Sequence, residues 1–159
     1  MIRPDVPVIM GCGNRKGSRP ARAIDLYLGS YFMAGRRWIS TVARLDQVYI
    51  LSAKYGLVRA SQMLEPYNLR MGQPGSISSA GIAEQIKAHD LGDATPLLVG
   101  MGKAYVARLQ GLFRVRYWLT EYMDLPGNGM GYQAQWLKAN RGRLPTKLQH
   151  LTAQERTLA

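Results

Sequence analysis

The chain is short of the residues that build disulfides and zinc sites. It has one cysteine, Cys12, and two histidines, His89 and His150, among its 159 residues. A single cysteine excludes a disulfide within the chain. A zinc site built from cysteine and histidine needs about four such ligands, so we expect no metal site and no bound cofactor.

Long apolar runs are also missing. Every uninterrupted apolar stretch falls far short of the roughly 20 residues that span a bilayer. The first residues, from Met1 to Asp5, do not have the pattern of a signal peptide and lead directly into a strand-like segment. We therefore expect a cytoplasmic protein without a membrane partner. The sequence gives no indication of an oligomeric state.

Acidic residues are scarce. Asp and Glu together number 10 against 21 Lys and Arg, which gives a net charge of +11. Most of the cations are arginines, whose planar guanidinium group suits phosphate recognition and base stacking. This balance favours a polyanionic partner, namely DNA, RNA or a nucleotide derived from them.

The pattern of apolar residues predicts an α/β fold. At 159 residues and 47% apolar content, the chain is long enough for one domain with a substantial core. Short apolar runs alternate with segments of helical periodicity, an order typical of a mainly parallel sheet with helices on both faces. We predict a single three-layer, Rossmann-like domain over residues 1–140, followed by a basic C-terminal arm over residues 141–159. The predicted strands, about four in number, are 6–12, 48–51, 96–100 and 115–119. The predicted helices are 21–28, 31–45, 78–89, 103–112 and 132–140.

Three of the predicted strands end in glycine, small polar or cationic residues. In open α/β sheets, ligands bind outside the carboxyl ends of the strands, so we place the site at these strand ends. The residues that we expect to bind substrate or phosphate are Cys12, Arg15, Lys16, Ser52, Tyr55, Tyr67, Gly100 and Lys103.

The candidate catalytic residues are Lys54, Glu65 and Asn14. Glu65 is suited to general acid or base catalysis, and Asn14 to a hydrogen bond with a base edge. Lys54 is suited to holding a phosphate or attacking a sugar carbon, while Tyr55 and Tyr67 can stack on a base. This set suits N-glycosidic bond cleavage or exchange, or base modification, and would also bind a nucleotide without reacting.

The first loop also has simpler interpretations. Residues 13–20 can be a flexible basic surface loop, and Cys12 can be a small buried apolar residue rather than a nucleophile. The spacing of Gly11, Gly13 and Gly17 is one residue too wide for a dinucleotide-binding fingerprint. The loop therefore predicts anion binding without identifying a known phosphate motif.

Several motifs in a fixed order resemble a family. They are Gly11-Cys12-Gly13-Asn14-Arg15-Lys16, Asp25-Leu26-Tyr27, Ile50-Leu51-Ser52-Ala53-Lys54-Tyr55-Gly56-Leu57, Glu65-Pro66-Tyr67 and Gly129-Met130-Gly131-Tyr132-Gln133 with Trp136-Leu137. Over residues 8 to about 138, the chain resembles a YaaA-like family of small bacterial and phage proteins. That family usually has Cys-Ser before its lysines, where this chain has Cys12-Gly13-Asn14. The resemblance implies an association with nucleic acid. Members of the family are named after a DNA-binding peroxide-stress protein, and several are encoded beside genes for base modification.

Three functions remain open at this point. The first is an enzyme that processes a nucleobase or nucleotide in DNA or RNA, and the sequence leans towards it. The alternative is a non-catalytic DNA-binding protein of the YaaA-like stress-response type. A small-molecule nucleotide binder is the third. The dependence of binding on salt separates backbone binding from a nucleotide pocket.

Overall fold

A five-stranded sheet forms the centre of the protein in a computed structural model, which describes residues 1–153. The strands are β1 (Val8–Gly11), β2 (Ala21–Arg22), β3 (Val48–Ser52), β4 (Gly56–Arg59), β5 (Met63–Leu64), β6 (Leu97–Val99) and β7 (Tyr117–Trp118). The helices are α1 (Ala23–Leu26), α2 (Ser30–Val42), α3 (Ser79–Ala88), α4 (Lys103–Leu109) and α5 (Met130–Ala139). Short 3-10 helices cover Leu45–Gln47, Leu119–Tyr122 and Thr146–Leu151. Within the described residues, no helix has both the length and the apolar character needed to cross a bilayer.

The order of strands across the sheet is β4-β3-β1-β6-β7. Strand β1 pairs in parallel with both β3 and β6, and β6 pairs in parallel with β7. Strand β4 is antiparallel to β3 and forms one edge. Following β1, the chain adds β3 and β4 on one side of this strand and then crosses over to add β6 and β7 on the other side. The connections diverge between β1 and β6.

Helices cover both faces of the sheet. Successive residues of β1 face different cores, because side chains alternate along a strand. Val8 and Met10 belong to the core that contains Trp38 of α2 and Leu137 of α5. Ile9 belongs to the opposite core, with residues of α3 and α4. Burial on both faces explains why the central strands are continuously apolar, and the predicted α/β class is confirmed.

Helix α2 anchors the first of these cores. Its apolar residues recur at helical spacing, and Trp38 has no exposed surface. The indole N–H of Trp38 donates to the backbone carbonyls of Asn140 at 2.9 Å and Arg143 at 3.1 Å. This side chain therefore joins α2 to the chain that follows α5.

The sheet has five strands where the sequence predicted about four. The four predicted strands correspond to β1, β3, β6 and β7, while residues 52–58, predicted as a turn, contain β4. Gly56 has a φ of +74°, so the chain reverses within Ala53 to Tyr55 and then continues as a strand. Residues 21–28, predicted as helical, form β2 and the one-turn helix α1 instead. Strand β2 pairs with β5 in a separate two-stranded ribbon.

The described part of the predicted C-terminal arm packs on the domain. Leu144, Leu148 and Leu151 are buried in the core that α2 and α5 share. Thr152 forms an antiparallel bridge with Ile2. Arg156 and the rest of residues 154–159 lie outside the described residues.

Candidate functional site

A cleft of about 1010 Å³ opens at the carboxyl ends of β1 and β6. This is the position where the connections diverge, and ligands of open α/β sheets bind at such positions. The loops that follow β1 and β6 line the cleft, as do parts of residues 118–133. The beginning of α2 lines it as well, through Tyr31 and Phe32.

The floor of the cleft depends on a close approach of two backbones. A Cβ atom at Gly11 would lie 3.0 Å from the carbonyl oxygen of Gly100 and 3.2 Å from the Cα of Met101. Gly100 itself has a φ of +60°, in the left-handed region that favours glycine. Main chain rather than side chains therefore forms the cleft at this point.

Two cations line the cleft on the segments that follow β1 and β6, and we call this part of the lining the cationic wall. Arg15 and Lys103 are both exposed there. Within residues 1–153, neither has a carboxylate oxygen within 4.0 Å. Two backbone hydrogen bonds hold the loop that carries Arg15. The Arg15 carbonyl accepts from Leu28 N at 2.9 Å, and Gly17 N donates to Leu26 O at 2.9 Å. The loop is therefore anchored rather than free.

Helices α2 and α5 both begin at the cleft. Their N-caps are Gly29 and Gly129, and neither cap residue supplies a side-chain hydrogen bond to the first turn. The N–H groups of a first helical turn carry partial positive charge and lack partners within the helix. Within residues 1–153, no aspartate or glutamate lines the cleft. The electrostatics of the cleft thus favour an anionic ligand.

The lining residues within 118–133, which we call the uncharged wall, differ from the cationic wall in charge. Its side chains include Trp118, Thr120, Met123, Leu125, Met130 and Gln133. None of the residues in 118–133 that line the cleft is charged. Apolar and aromatic surface with a few polar groups is typical of sites for organic ligands. The cleft therefore offers an anion-binding side and a side for a flat, partly apolar group.

A cluster of hydroxyl and thiol groups lies at the junction of β1 and β3. Cys12 Sγ is 2.9 Å from the Tyr105 hydroxyl and accepts a longer contact of 3.6 Å from the Tyr67 hydroxyl. The Tyr67 oxygen lies 2.8 Å from Ser52 Oγ and 2.7 Å from the Tyr27 oxygen. Cys12 and Tyr105 also line the cleft, so the cluster extends from the cleft to the buried end of β3.

Burial keeps the tyrosines of this cluster in their neutral form. Desolvation, with a further contribution from nearby Cys12, raises the pKa of Tyr27, Tyr67 and Tyr105 well above the usual range for tyrosine. Burial also lowers the pKa of Lys16, although Cys12 opposes that shift. The Lys16 ammonium lies 4.2 Å from the centre of the Tyr67 ring, within the range of a cation–π contact. No three His, Cys, Asp or Glu side chains of residues 1–153 are grouped to hold a metal ion.

The sequence-predicted site residues fall into three groups. Those that line the cleft are Cys12, Asn14, Arg15, Gly100 and Lys103. The neighbouring hydroxyl cluster contains Ser52 and Tyr67, and Lys16 lies over the ring of Tyr67. The remaining three, Lys54, Tyr55 and Glu65, do not line the cleft.

That third group lies beside the β3–β4 turn. The Tyr55 hydroxyl donates to the backbone carbonyl of Glu65 at 3.2 Å. Lys54 is exposed, with its ammonium 5.2 Å from the centre of the Tyr55 ring. Glu65 is exposed, and no cation of the described residues lies within 4.0 Å of its carboxylate. The backbone of Glu65, rather than its carboxylate, makes the contact with Tyr55.

Replacing Tyr67 with phenylalanine should destabilise the protein by about 1–3 kcal/mol. The change leaves the buried Ser52 and Tyr27 hydroxyls without their common partner. The free energy of unfolding, from denaturant titration, measures the effect. Tyr122→Phe is the control, because Tyr122 is half-buried and its hydroxyl makes no hydrogen bond within the described residues. Equal losses in the two variants would contradict the importance of this cluster.

Sequence reasoning missed several residues of the cleft. The sequence places Tyr31 at the start of a predicted helix and gives no site role to Tyr31, Tyr105, Thr120 or Gln133. The one available signal was the glycine-rich segment 125–131, which precedes α5. Glycine at a helix start permits close approach of a ligand to the backbone, but does not identify the side chains that face it.

Comparison with known proteins gives a family but no function. No curated protein and no solved structure matches the chain. One family model, described as a family of unknown function (DUF6884), matches residues 8–139. This match covers all the strands of the sheet and all of the residues that line the cleft, from Gly11 to Gln133. The protein therefore belongs to the DUF6884 family.

Proposed function

We propose that this protein binds a nucleotide, free or as a unit of DNA or RNA, in the cleft between β1 and β6, and that it is an enzyme acting on the nucleobase or nucleotide bound there. The observation that carries the proposal is the contrast between the two walls. Arg15 and Lys103 belong to the cationic wall and have no carboxylate partner within residues 1–153, whereas the uncharged wall is partly aromatic. A nucleotide has the same division into an anionic and a flat, partly apolar part.

The size and place of the cleft support this proposal. Its volume of about 1010 Å³ is at the upper end of the roughly 300–1000 Å³ of small-molecule sites. The parallel strands follow the order β3-β1-β6-β7. We propose that the domain is doubly wound and Rossmann-like, with the ligand at the point where strand order reverses.

Two reactive groups that line the cleft are the Cys12 thiol and the Tyr105 hydroxyl, 2.9 Å apart. A thiol is a nucleophile when ionised, and a neutral phenol is a proton donor. The proposed reaction is N-glycosidic bond cleavage or base modification. In it, the thiol and the phenol act on the nucleotide that is bound in the cleft. The predicted catalytic roles of Lys54 and Glu65 are not part of this proposal, since neither residue lines the cleft.

The proposal keeps the nucleic-acid partner that the net charge of +11 suggests. The resemblance to the YaaA-like family points the same way. The cytoplasmic location stays a prediction of the sequence. The alternative, a non-catalytic DNA-binding protein, would use its cations on the phosphate backbone and leave the cleft without a ligand.

Equilibrium binding at several salt concentrations tests the proposal. We expect nucleoside 5′-monophosphates to bind with one site per chain and with a shallow dependence on salt. Each phosphate of duplex DNA that a protein neutralises adds about 0.9 to the negative slope of log affinity against log salt. Binding of duplex DNA alone, with a steep slope, would contradict a nucleotide cleft and support the non-catalytic alternative. Incubation with single-stranded DNA and RNA, followed by analysis of released or altered bases, tests the enzyme activity.

A further inference from the structure

Gln133 lines the cleft with its side-chain oxygen already in use. Its Oε1 accepts a hydrogen bond from the Tyr31 hydroxyl, and the Thr120 hydroxyl lies 3.5 Å from the same oxygen. These side chains come from α5, from α2 and from the 3-10 helix after β7, and all three line the cleft. Within the described residues, no group accepts a hydrogen bond from the Gln133 amide nitrogen. The NH₂ group is therefore the part of Gln133 available to a ligand.

Tyr31 binds the oxygen of this amide. Burial raises the pKa of the Tyr31 hydroxyl, so the phenol keeps its proton at neutral pH and donates it to Gln133 Oε1. In this orientation of the amide, the NH₂ group is the part left for a ligand. Tyr31 also lies against the cleft floor, since a Cβ at Gly100 would be 3.8 Å from its Cε1.

Trp118 also lines the cleft, but its indole N–H is buried and has no acceptor among the described residues. Because that nitrogen has almost no accessible surface, a ligand in the cleft does not reach it. The donor that the proposal uses on the uncharged wall is therefore the NH₂ group of Gln133. The partial positive charge at the start of α5 favours acceptors there as well.

We infer that the uncharged wall selects a base whose edge presents an oxo group to Gln133. The ligand class is then a 6-oxopurine or a 4-oxopyrimidine nucleotide, such as one containing guanine, hypoxanthine, uracil or thymine. Adenine and cytosine carry an amino group at the corresponding position, which would face the Gln133 NH₂ donor to donor. This inference rests on the proposed function, because it requires that a nucleotide binds in the cleft.

Two matched pairs of ligands test the inference in the unaltered protein. Inosine and adenosine 5′-monophosphates differ mainly in the oxo or amino group of the purine, and uridine and cytidine 5′-monophosphates differ similarly. Affinities are measured by calorimetry. We expect the oxo member of each pair to bind about 10-fold or more tightly, since the wrong partner leaves a polar group unpaired. The same comparison is made with single-stranded oligonucleotides that differ in one hypoxanthine or adenine.

Variants identify the residue responsible. Gln133→Glu replaces the NH₂ donor with an acceptor, so the preference for the oxo base should disappear or reverse. Gln135→Glu is the control, because it adds the same charge two residues along α5 at an exposed position outside the cleft lining. Tyr31→Phe releases the amide and should reduce the ratio of affinities within each pair.

The outcomes separate this inference from the proposed function. If nucleotides bind but the two members of each pair bind equally, the inference is overturned and the nucleotide cleft stands. If Gln135→Glu changes the ratio as much as Gln133→Glu does, the role of Gln133 is overturned. If neither monophosphates nor oligonucleotides bind, the proposed function fails and the inference fails with it.

Discussion

Replacing Arg15 and Lys103 together with alanine should weaken binding of nucleoside monophosphates by about 100-fold. Both cations line one wall of the cleft and have no carboxylate partner among the described residues. Their charge is therefore available to a phosphate group. Each substitution removes a charge-assisted hydrogen bond to the ligand, which costs about 1.4 kcal/mol or more of binding free energy. Each such loss weakens the affinity about tenfold. Calorimetric titration measures the dissociation constants.

The matched control removes the same charge elsewhere. Arg37 on α2 and Lys138 on α5 are exposed, lack a carboxylate within 4.0 Å among residues 1–153, and do not line the cleft. Replacing both with alanine should leave monophosphate binding nearly unchanged. If the two double variants lose equal affinity, the effect comes from net charge, and the cationic wall is not a phosphate site.

Gly56→Ala should destabilise the protein by about 3 kcal/mol. Gly56 begins β4 with a φ of +74°, and a Cβ there would lie 2.7 Å from Gln85 Nε2. A left-handed conformation costs an ordinary residue about 1–2 kcal/mol. The displaced Gln85 amide would also lose its hydrogen bonds with Leu57 N at 2.7 Å and Tyr55 O at 2.9 Å, each worth about 0.5–1.5 kcal/mol. For a chain of this length the melting temperature should fall by about 6–12 °C, as measured by calorimetry.

Gly72→Ala separates the two causes. Gly72 has a φ of +93°, and a Cβ there would meet nothing within 4 Å. This variant should lose only the conformational part, about 1 kcal/mol. Because Gly56 and Gln85 act through the same contact, their losses in a double variant should be less than additive. Equal effects of the Gly56 and Gly72 changes, or additive losses with Gln85→Ala, would contradict the role given to this contact.

The sequence was sufficient to predict most of the sheet. The runs around Val8, Val48, Leu97 and Tyr117 are apolar and short, and each became a strand. The first three were readable because strands that are buried on both faces lack the polar alternation of surface strands, whereas β7 is a half-buried edge strand. Strand β4 was missed because a glycine after a polar turn can end a strand or reverse the chain, and local sequence does not distinguish these.

Only half of the candidate site was predictable in this way. The rule for strand ends placed Cys12, Asn14 and Arg15 together with Gly100 and Lys103, and all five line the cleft. The same rule placed Ser52 and Lys54 at the edge of β3, yet neither lines the cleft. The strand order explains the difference, since β6 and β3 lie on opposite sides of β1 and the cleft opens on the β6 side.

By itself, the sequence determined the four parallel strands of the sheet, the loops that follow them and the large excess of positive charge. The tertiary structure alone decided which loops share a cleft, because strand order depends on how the crossovers pack and not on the apolar content of any strand. It also decided that Tyr31 meets Gln133. These residues are far apart in the chain, and only the packing of α2 against α5 brings the phenol and the amide into contact.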